Sequence, residues 1–227
     1  NVFDSLEKIL PLIEDLGIYN FYPHRMEADD AISWLSEIVE GEKIIITTDK
    51  DMLQLISEDI SVYNTNTKSI INLQNFEEVT DIDNPKNYLM FRCFTGDKSD
   101  NIPGIPKVGI KTYLKLTKDW DYNLDNVNIN KDQRAIVERN KRLMDLKYGF
   151  NYYEEETITY RAQYYNNQNK TEPNYDSFTT KCEEEGLKSI CENIQQWKHT
   201  FSPKKNNILN IINNIKERYC KDEHQST

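Results

Sequence analysis

Acidic side chains recur in three short stretches within the first hundred residues, which read EADD, TTDKD and GDKSD. Each stretch alone has an ordinary structural explanation, because acidic residues complement the dipole at the start of a helix and Asp is common after a strand. Gathered at one rim of a sheet, their carboxylates would repel one another unless cations neutralised them. The seven candidates for such a cation site are Glu27, Asp29, Asp30, Asp49, Asp51, Asp97 and Asp100.

The donor atoms of these residues indicate which ions they would bind. Carboxylates offer oxygen only, a donor set that selects Mg²⁺ or Mn²⁺ over zinc. Two such ions about 4 Å apart stabilise both the attacking and the leaving oxygen of an in-line phosphoryl displacement. The acidic stretches therefore predict a two-metal phosphodiesterase site that holds two Mg²⁺ ions, with Mn²⁺ able to substitute.

A turn that contains glycine and proline follows the last acidic stretch, in NIPGIPKVGIKT. Glycine lets a backbone approach a ligand closely, and the amides at a helix N-terminus favour anions. The lysines around this turn can reach a phosphate backbone, and contacts of this kind position a duplex without reading its sequence. The expected contact residues are Lys98, Gly104, Lys107, Gly109, Lys111 and Lys115.

The spacing of apolar residues predicts the elements that would position these side chains. Helical spacing appears in SLEKILPLIEDLGI and MEADDAISWLSEIVEG, and YNFY between them reads as a short strand. KIIITTDKD has the continuous apolar run of a parallel strand that is covered on both faces. Ligands of an α/β sheet bind beyond the carboxyl ends of its strands, so Asp49 and Asp51 fall at a ligand-binding rim.

The rest of the chain reads as one hairpin and a series of helices. ISVYNTNTKSIINL predicts the hairpin, and NPKNYLMFRCFTG predicts a helix with Asn84 as N-cap, Pro85 at its first position and Gly96 as terminator. The architecture predicted is an α/β front with a helical back. Further helices are expected in VGIKTYLKLTK, NKDQRAIVERNKRLMDLKYG, FTTKCEEEGLKSICENIQQW and PKKNNILNIINNIKERYC.

Charge is distributed unevenly along the 227 residues, although the net charge of −10 argues at first sight against a nucleic-acid partner. The net charge is −12 over residues 1–97, +4 over residues 98–147 and −2 over residues 148–227. An acidic front followed by a basic middle is what a cation site beside a phosphate-binding surface would produce.

Features that would place the chain outside the cytoplasm do not appear in the sequence. No apolar run is long enough for a membrane span and no signal peptide is visible. The four cysteines form no CxxC pair and are expected to be free thiols in a reducing compartment. These features predict an intracellular, cytoplasmic location without a membrane partner, in the host cytoplasm if the source is viral.

The acidic stretches and the turn together resemble a known family. EADD, TTDKDMLQL and GDKSDNIPGIPKVGIKT, in this order and spacing, are similar to the 5′-nucleases. That family includes flap endonucleases, the 5′-nuclease domain of bacterial DNA polymerase I and phage 5′-exonucleases. RNKRLMDL and FTTKCEEEGLKSICENIQQW are similar in layout to the RNase H of T-even phages, a family member. The resemblance covers residues 6–147 well and residues 150–227 loosely.

The resemblance implies a fold and a role for each motif. The fold would be a PIN-like (Rossmann-type) α/β nuclease core with a helix-three-turn-helix (helix-hairpin-helix) element and an α-helical C-terminal part. The duplex would be gripped by residues 102–115, which adds Ile102 and Thr112 to the contact residues, with a K⁺ ion held by backbone carbonyls. The first metal region would comprise Glu27, Asp29, Asp30 and Asp49, and the second Asp51, Asp97 and Asp100.

The resemblance also implies the reaction and its partners. Metal-activated water would attack a phosphodiester and leave a 5′-phosphate, so the chain would act as a 5′-3′ exonuclease or flap endonuclease. Its substrates would be DNA with a 5′ flap, a nick or an RNA/DNA primer junction, during replication or repair. Replication proteins are further expected partners.

The chain departs from the family pattern at its start. Family members begin with a strand that ends in a metal-binding Asp, followed by a second Asp and a basic helical arch, and nothing upstream of Asn1 supplies these here. Two explanations are open. The chain is part of a longer or split enzyme completed by an N-terminal segment, or it is a short homologue that binds branched DNA with impaired catalysis. A PIN-type ribonuclease is a further alternative, although it would not need the glycine–proline turn.

Three regions follow from these observations. Residues 1–97 are expected to form an incomplete α/β nuclease core, residues 98–147 the helix-three-turn-helix region that binds DNA, and residues 148–227 a helical C-terminal region.

Overall fold

The computed structural model describes residues 2–21, 26–118, 120–148 and 172–202. The chain divides into two compact units, one formed by residues 1–25 with 153–227 and the other by residues 26–152. The three regions expected from the sequence follow changes in charge and motif, whereas these units follow contacts. The first helix therefore belongs with the C-terminal helices and not with the acidic front.

A small sheet lies in the unit of residues 26–152. Helix α2 (Ala28–Ile38) precedes strand β1 (Lys43–Ile46), and a 3-10 helix (Asp51–Leu55) connects β1 to β2 (Ile60–Asn64). Strand β2 pairs in parallel with β1 and antiparallel with β3 (Ser69–Ile71). The parallel pair and the hairpin predicted between β2 and β3 are confirmed, and with α2 they give the mixed α/β character expected of the front.

The burial predicted for β1 is wrong at its carboxyl end. In the described part of the sheet β1 is an edge strand, and Ile46 is 68% exposed although Ile44 and Ile45 are half-buried. An edge strand is covered on fewer sides than a central one, so a continuous apolar run does not by itself require burial on both faces. The last residue of β1 consequently stands at the exposed rim that leads to Asp49.

Helices supply most of the remaining structure in this unit. Helix α3 (Phe76–Thr80) precedes α4 (Pro85–Thr95), whose N-cap Asn84 accepts a bond from the Asn87 amide. The predicted cap and the Gly96 terminator of α4 are both confirmed. Antiparallel strands β4 (Gly96–Asp97) and β5 (Ile102–Pro103) follow, and the chain continues through α5 (Ile110–Leu116), a 3-10 helix (Leu124–Asn126) and α6 (Lys131–Met144).

The core of this unit lies between the sheet, α4 and α6. Fully buried Phe76, Phe94 and Tyr113 fill it with aromatic surface, and Phe94 packs edge-to-face against Tyr113 at a centroid distance of 5.2 Å. Val137 of α6 is also fully buried. Burial of these side chains removes a large apolar area from water, which is the main favourable term in folding.

Helix α6 holds both segments that carry the later acidic residues. Buried Asn140 donates its side-chain amide to the Cys93 carbonyl at 2.8 Å and to the Pro103 carbonyl at 3.1 Å. Gln54 donates to the Met144 carbonyl at 2.9 Å and accepts from the Leu146 amide at 3.1 Å. Because buried polar groups are costly when unpaired, these bonds fix the 3-10 helix after β1 and the β4–β5 hairpin on one support.

The other unit is helical in its described residues. Helix α1 (Val2–Asp15) packs on α7 (Tyr175–Glu184), with Leu12, Leu16, Phe178 and Cys182 buried between them. The predicted stretch FTTKCEEEGLKSICENIQQW is helical but divides into α7, α8 (Lys188–Glu192) and α9 (Ile194–Thr200).

Several smaller predictions concern this unit. The strand predicted at YNFY is wrong for residues 19–21, because the Asn20 amide donates to the Leu10 carbonyl and folds the segment back on α1. Cys182 and Cys191 are free thiols, as is Cys93 in the other unit.

The predicted helix in PKKNNILNIINNIKERYC, with Cys220, lies outside the described residues. Over the described residues no helix is long and apolar enough to cross a membrane.

Gly104 allows the β4–β5 hairpin to touch the end of α4. A Cβ atom added at Gly104 would lie 2.2 Å from the Thr95 carbonyl carbon and oxygen, which are backbone atoms with no freedom to move aside. We expect Gly104→Ala to lower the free energy of unfolding by about 3 kcal/mol in urea denaturation, as severe overpacking does.

Gly109→Ala is the matched control for this substitution. Gly109 is the N-cap of α5, its φ is −117°, and a Cβ atom there would meet nothing within 4 Å. It should change the free energy of unfolding by less than about 1 kcal/mol. Equal stability of the two variants would contradict the close contact at Gly104.

Candidate metal centre and nucleic-acid interface

Three carboxylates from two separate stretches converge in the unit of residues 26–152. Asp51 begins the 3-10 helix after β1, Asp97 lies on β4, and Asp100 lies in the turn between β4 and β5. One oxygen of each lies within 4.8 Å of the others, and this group is the acidic triad. The strand end and the hairpin, both held by α6, thus place their acids together.

Arg92 lies directly against the acidic triad. It occupies the last turn of α4, and its Nη2 atom donates to Asp51 Oδ1 at 2.8 Å and also to Asp97 Oδ2. This ion pair is largely shielded, since the side chains of Arg92 and Asp51 are each 17% exposed and that of Asp97 is 11% exposed. The guanidinium compensates part of the negative charge.

Short-range hydrogen bonds orient the acidic side chains. Asp49 accepts from the Asp51 amide at 2.8 Å, and its own amide donates to Thr47 Oγ1 at 3.0 Å. Asp97 Oδ1 accepts from the Ser99 amide at 2.7 Å and from the Ser99 hydroxyl. These bonds fold the chain around each carboxylate and leave other oxygen lone pairs available.

The two better-buried acids have opposite electrostatic environments. Burial raises the pKa of Asp51, and the Asp49 charge adds to this, while Arg92 acts in the opposite direction. Hydrogen bonds from Ser99 lower the pKa of Asp97, and Arg92 lowers it further. Asp97 is therefore the more readily ionised of the two acids. An added cation would stabilise the ionised form of Asp51 more than that of Asp97.

The acids at the start of α2 stand outside the triad. Glu27 is the exposed N-cap of α2, while Asp29 and Asp30 lie half-buried in its first turn. Burial raises the pKa of Asp29, and the charges of Asp49 and Asp51 raise it further. Burial and Glu27 raise the pKa of Asp30. Asp29 thus links the α2 acids electrostatically to the rim after β1.

The donor set of the triad fits a hard divalent ion. Its three carboxylates offer oxygen ligands only, and no His or Cys belongs to the group found in the described chain. Oxygen donors of this kind are those that Mg²⁺ and Mn²⁺ prefer. Asp51, Asp97 and Asp100 could hold one such ion, and the charges of Asp49 and Asp29 interact with this site through Asp51.

Most of the predicted nucleic-acid contacts are exposed around the hairpin and α5. Ile102 and Gly104 are instead half-buried in the hairpin, with Ile102 paired to Asp97. Lys107 has a left-handed backbone with φ of +65°, which turns the chain towards α5. The exposed members of the set are Lys98, Lys107, Gly109, Lys111, Thr112 and Lys115.

Sequence patterns did not single out three residues that shape this site. Arg92 pairs with the triad, Ser99 orients Asp97, and Asn140 anchors the hairpin. A charged residue inside the apolar run LMFRCF was the available signal for Arg92. Asn140 carried no such signal, since an asparagine in a polar helix is ordinary on an exposed face.

A sizeable cavity of this unit lies away from the predicted carboxylates. It measures about 850 Å³, and its lining includes Asn84, Lys86, Tyr122 and Lys141 but none of the seven predicted carboxylates.

Comparison with known proteins places these motifs in a wider context. Residues 1–81 match the family described as 5′-3′ exonuclease, N-terminal resolvase-like domain. A 5′-3′ exonuclease of Buchnera aphidicola subsp. Schizaphis graminum is 38% identical over 137 residues, which are 58% of this chain and 47% of that protein. By these matches the chain is similar to the 5′-nucleases. Its PIN-like, resolvase-type α/β fold with a helical C-terminal part agrees with the expectation from the sequence.

Two further proteins are similar to the chain at lower sequence identity. The thermostable DNA polymerase I of Thermus filiformis is 34% identical over 141 residues, 58% of this chain and 17% of that protein. A crystal structure of T5 D15 protein with metal ions has a TM-score of 0.49 and 21% identity, covering 56% of this chain and 52% of that one. The chain spans about half the length of the curated 5′-3′ exonucleases that it matches.

The raised pKa of Asp29 gives this chain a testable pH dependence. An acid whose folded pKa exceeds its ordinary value of 3.8 loses stability as pH rises through and above that value. Asp29→Asn should remove this loss. In the absence of metal, we expect Asp29→Asn to raise the free energy of unfolding at pH 7 by about 0.5 kcal/mol. This value is small because solvent screens the charge of a half-buried side chain.

Urea denaturation in a chelator, at pH 7 and at successively lower pH, measures this effect. The gain should shrink as the pH approaches 3.8. Glu78→Gln, which removes an exposed charge from the first turn of α3, should give no gain. A destabilised Asp29→Asn variant at pH 7 would contradict the electrostatic picture.

Proposed function

We propose that the chain is a structure-specific 5′-nuclease that hydrolyses phosphodiesters with divalent metal ions. The observation that supports this best is the acidic triad, in which Asp51 and the hairpin acids Asp97 and Asp100 come within 4.8 Å. The same hairpin leads into exposed lysines, so a metal centre and a phosphate-binding surface adjoin on one short segment. The similarity to 5′-3′ exonucleases indicates the reaction class of this combination.

The acids of the site would bind two Mg²⁺ ions, with Mn²⁺ as a substitute. Bound ions would lower the pKa of a water molecule and stabilise the negative charge that develops on the phosphate. Asp51, Asp97 and Asp100 would hold one ion. Asp49, with Asp29, Asp30 and Glu27 from the start of α2, would complete the other region. The role of the chain is to fix these oxygens in place before substrate binds.

The exposed basic residues would bind the duplex beside the cut. Lys98 follows Asp97 directly, and Lys107, Lys111 and Lys115 continue along the turn and α5. Ammonium groups in this order suit a sugar–phosphate backbone and carry no base preference. The substrate would therefore be recognised by its shape, as DNA with a 5′ flap, a nick or an RNA/DNA primer junction. The K⁺ ion implied by the resemblance would lie against backbone carbonyls of the same turn.

Replication or repair is the process in which such a nuclease would act. A 5′ flap or a primer junction arises when a new strand meets an older one, and replication proteins would be the partners there. The cytoplasm is the compartment in which we expect this work. A complementing N-terminal segment remains part of the proposal, because family members carry a further Asp motif and a basic arch.

Removing the charge of the hairpin acids tests the metal centre. The double variant Asp97→Asn/Asp100→Asn should lose Mg²⁺-dependent cleavage of a 5′-flap duplex by on the order of 1,000-fold, because the neutral amides no longer hold the ion. Duplex affinity, measured by fluorescence anisotropy in chelator, should remain. Asp176→Asn, an exposed acid in the first turn of α7, is the control and should cleave normally.

Three results would bear on the alternatives. Cleavage only after addition of an upstream segment would identify the chain as the catalytically incomplete part of a longer or split enzyme. Preferential cleavage of single-stranded RNA would favour the ribonuclease. A double variant that cleaves as well as the unmodified chain would contradict the proposed function.

Lys107 offers a separate test of the duplex-binding surface. Lys107→Ala should weaken binding to all duplex sequences alike and reduce the slope of log affinity against log salt by about 1, since one phosphate contact is lost. Lys68→Ala is a matched control, because Lys68 is also an exposed lysine with a left-handed backbone but lies in the β2–β3 turn. Equal losses from both variants would argue against a specific role for Lys107.

A further inference from the structure

A single nitrogen of Arg92 contacts two of the three acids of the triad. Its Nη2 atom donates to Asp51 Oδ1 at 2.8 Å and to Asp97 Oδ2. The two acids belong to segments 46 positions apart in the sequence, and Arg92 is the described residue that forms an ion pair with both. A positive charge thus already lies between the oxygens that a bridging cation would need.

The geometry of this contact differs from that of an ordinary arginine–carboxylate pair. A bidentate pair uses two nitrogens of the guanidinium for the two oxygens of one acid. Arg92 instead directs one nitrogen at two acids, while its Nε atom is buried and has no hydrogen-bond partner among the described residues. Arg92 thus lies between two acids as a bound cation would, whereas a bidentate arginine would pair with one acid only.

We propose that Arg92 is a positioning residue that holds Asp51 and Asp97 together in the metal-free chain and competes with a divalent ion for them. This inference rests on the proposed metal centre. In the chain without metal, the guanidinium offsets the repulsion between the two acids. When an ion binds, the same charge opposes it, because like charges a few ångströms apart repel even in a partly solvated site.

Two consequences of opposite sign follow for a variant without the charge. Arg92→Met should be less stable without metal, because two close carboxylates lose their positive neighbour. It should also bind a divalent ion more tightly, because the ion no longer competes with a fixed cation. A purely structural arginine predicts the reverse for the metal, since loss of order in the triad would weaken ion binding.

Mn²⁺ binding to the full 227-residue chain measures the competition directly. Free Mn²⁺ is followed by electron paramagnetic resonance at a fixed pH near 7. We expect Arg92→Met to bind Mn²⁺ about tenfold more tightly than the unmodified chain. Its Tm in chelator should fall by about 5 °C, a gap that narrows when Mn²⁺ is saturating.

Two further variants control for charge and for folding. Arg92→Lys keeps a cation and should bind Mn²⁺ within about threefold of the unmodified chain. Arg134→Met removes an arginine that pairs with exposed Asp125 at 2.7 Å, and should leave Mn²⁺ affinity unchanged. Tighter Mn²⁺ binding by Arg92→Met, but not by Arg134→Met, supports competition between Arg92 and the ion at the triad.

The unmodified chain provides a readout that needs no stable Arg92→Met variant. The ¹⁵Nε–¹H signal of Arg92, assigned by its loss in Arg92→Lys, should shift during a Mg²⁺ titration along the same curve as ion binding. An unchanged Arg92 signal while Mg²⁺ binds would overturn the inference. Unchanged or weaker Mn²⁺ binding in folded Arg92→Met would also overturn it and leave the metal centre standing. Lack of ion binding by the unmodified chain would overturn both.

Discussion

The repulsion between closely placed carboxylates is the constraint that the unit of residues 26–152 has to satisfy. Asp51 and Asp97 are both largely shielded from water, where unpaired charges are costly. The chain meets this cost with the Arg92 guanidinium on one side of the acids and with Ser99 hydrogen bonds to Asp97 on the other. One arginine nitrogen neutralises the two acids only in part. A divalent cation carries more charge and would therefore compensate both acids better than Arg92 does.

Long-range contacts hold the backbone around the acids. Helix α6 uses Gln54 to hold the segment of Asp51 and Asn140 to hold the hairpin of Asp97. Gly104 then lets that hairpin lie directly on the end of α4, from which Arg92 extends. Acids and arginine therefore share one support, so the spacing of the charges is determined by packing at some distance from the rim.

Local signals in the sequence predicted much of this arrangement. The caps of α4, the β2–β3 hairpin and the placement of Asp51 after a strand all depend on neighbouring residues, and the structure has them. The exposed end of β1 depends on which strands lie beside it, and the return of Asn20 onto α1 depends on a side-chain bond to Leu10. Both were predicted wrongly. Arg92 and Asn140 were missed because each bonds a residue that is remote in the sequence, Arg92 with Asp51 at 41 positions and Asn140 with Cys93 at 47 positions.

The shared bonds of Asn140 have a consequence for motion. Its one amide group serves the Cys93 carbonyl on α4 and the Pro103 carbonyl at the hairpin end, where Arg139 also donates at 2.7 Å. Opening the hairpin would therefore break two hydrogen bonds to the Pro103 carbonyl and disturb the Asn140 amide that also bonds the buried Cys93 carbonyl on α4. Amide hydrogen exchange in the hairpin and in the last turn of α4 should accordingly report a single cooperative unfolding event, with no separate low-energy fraying of the loop.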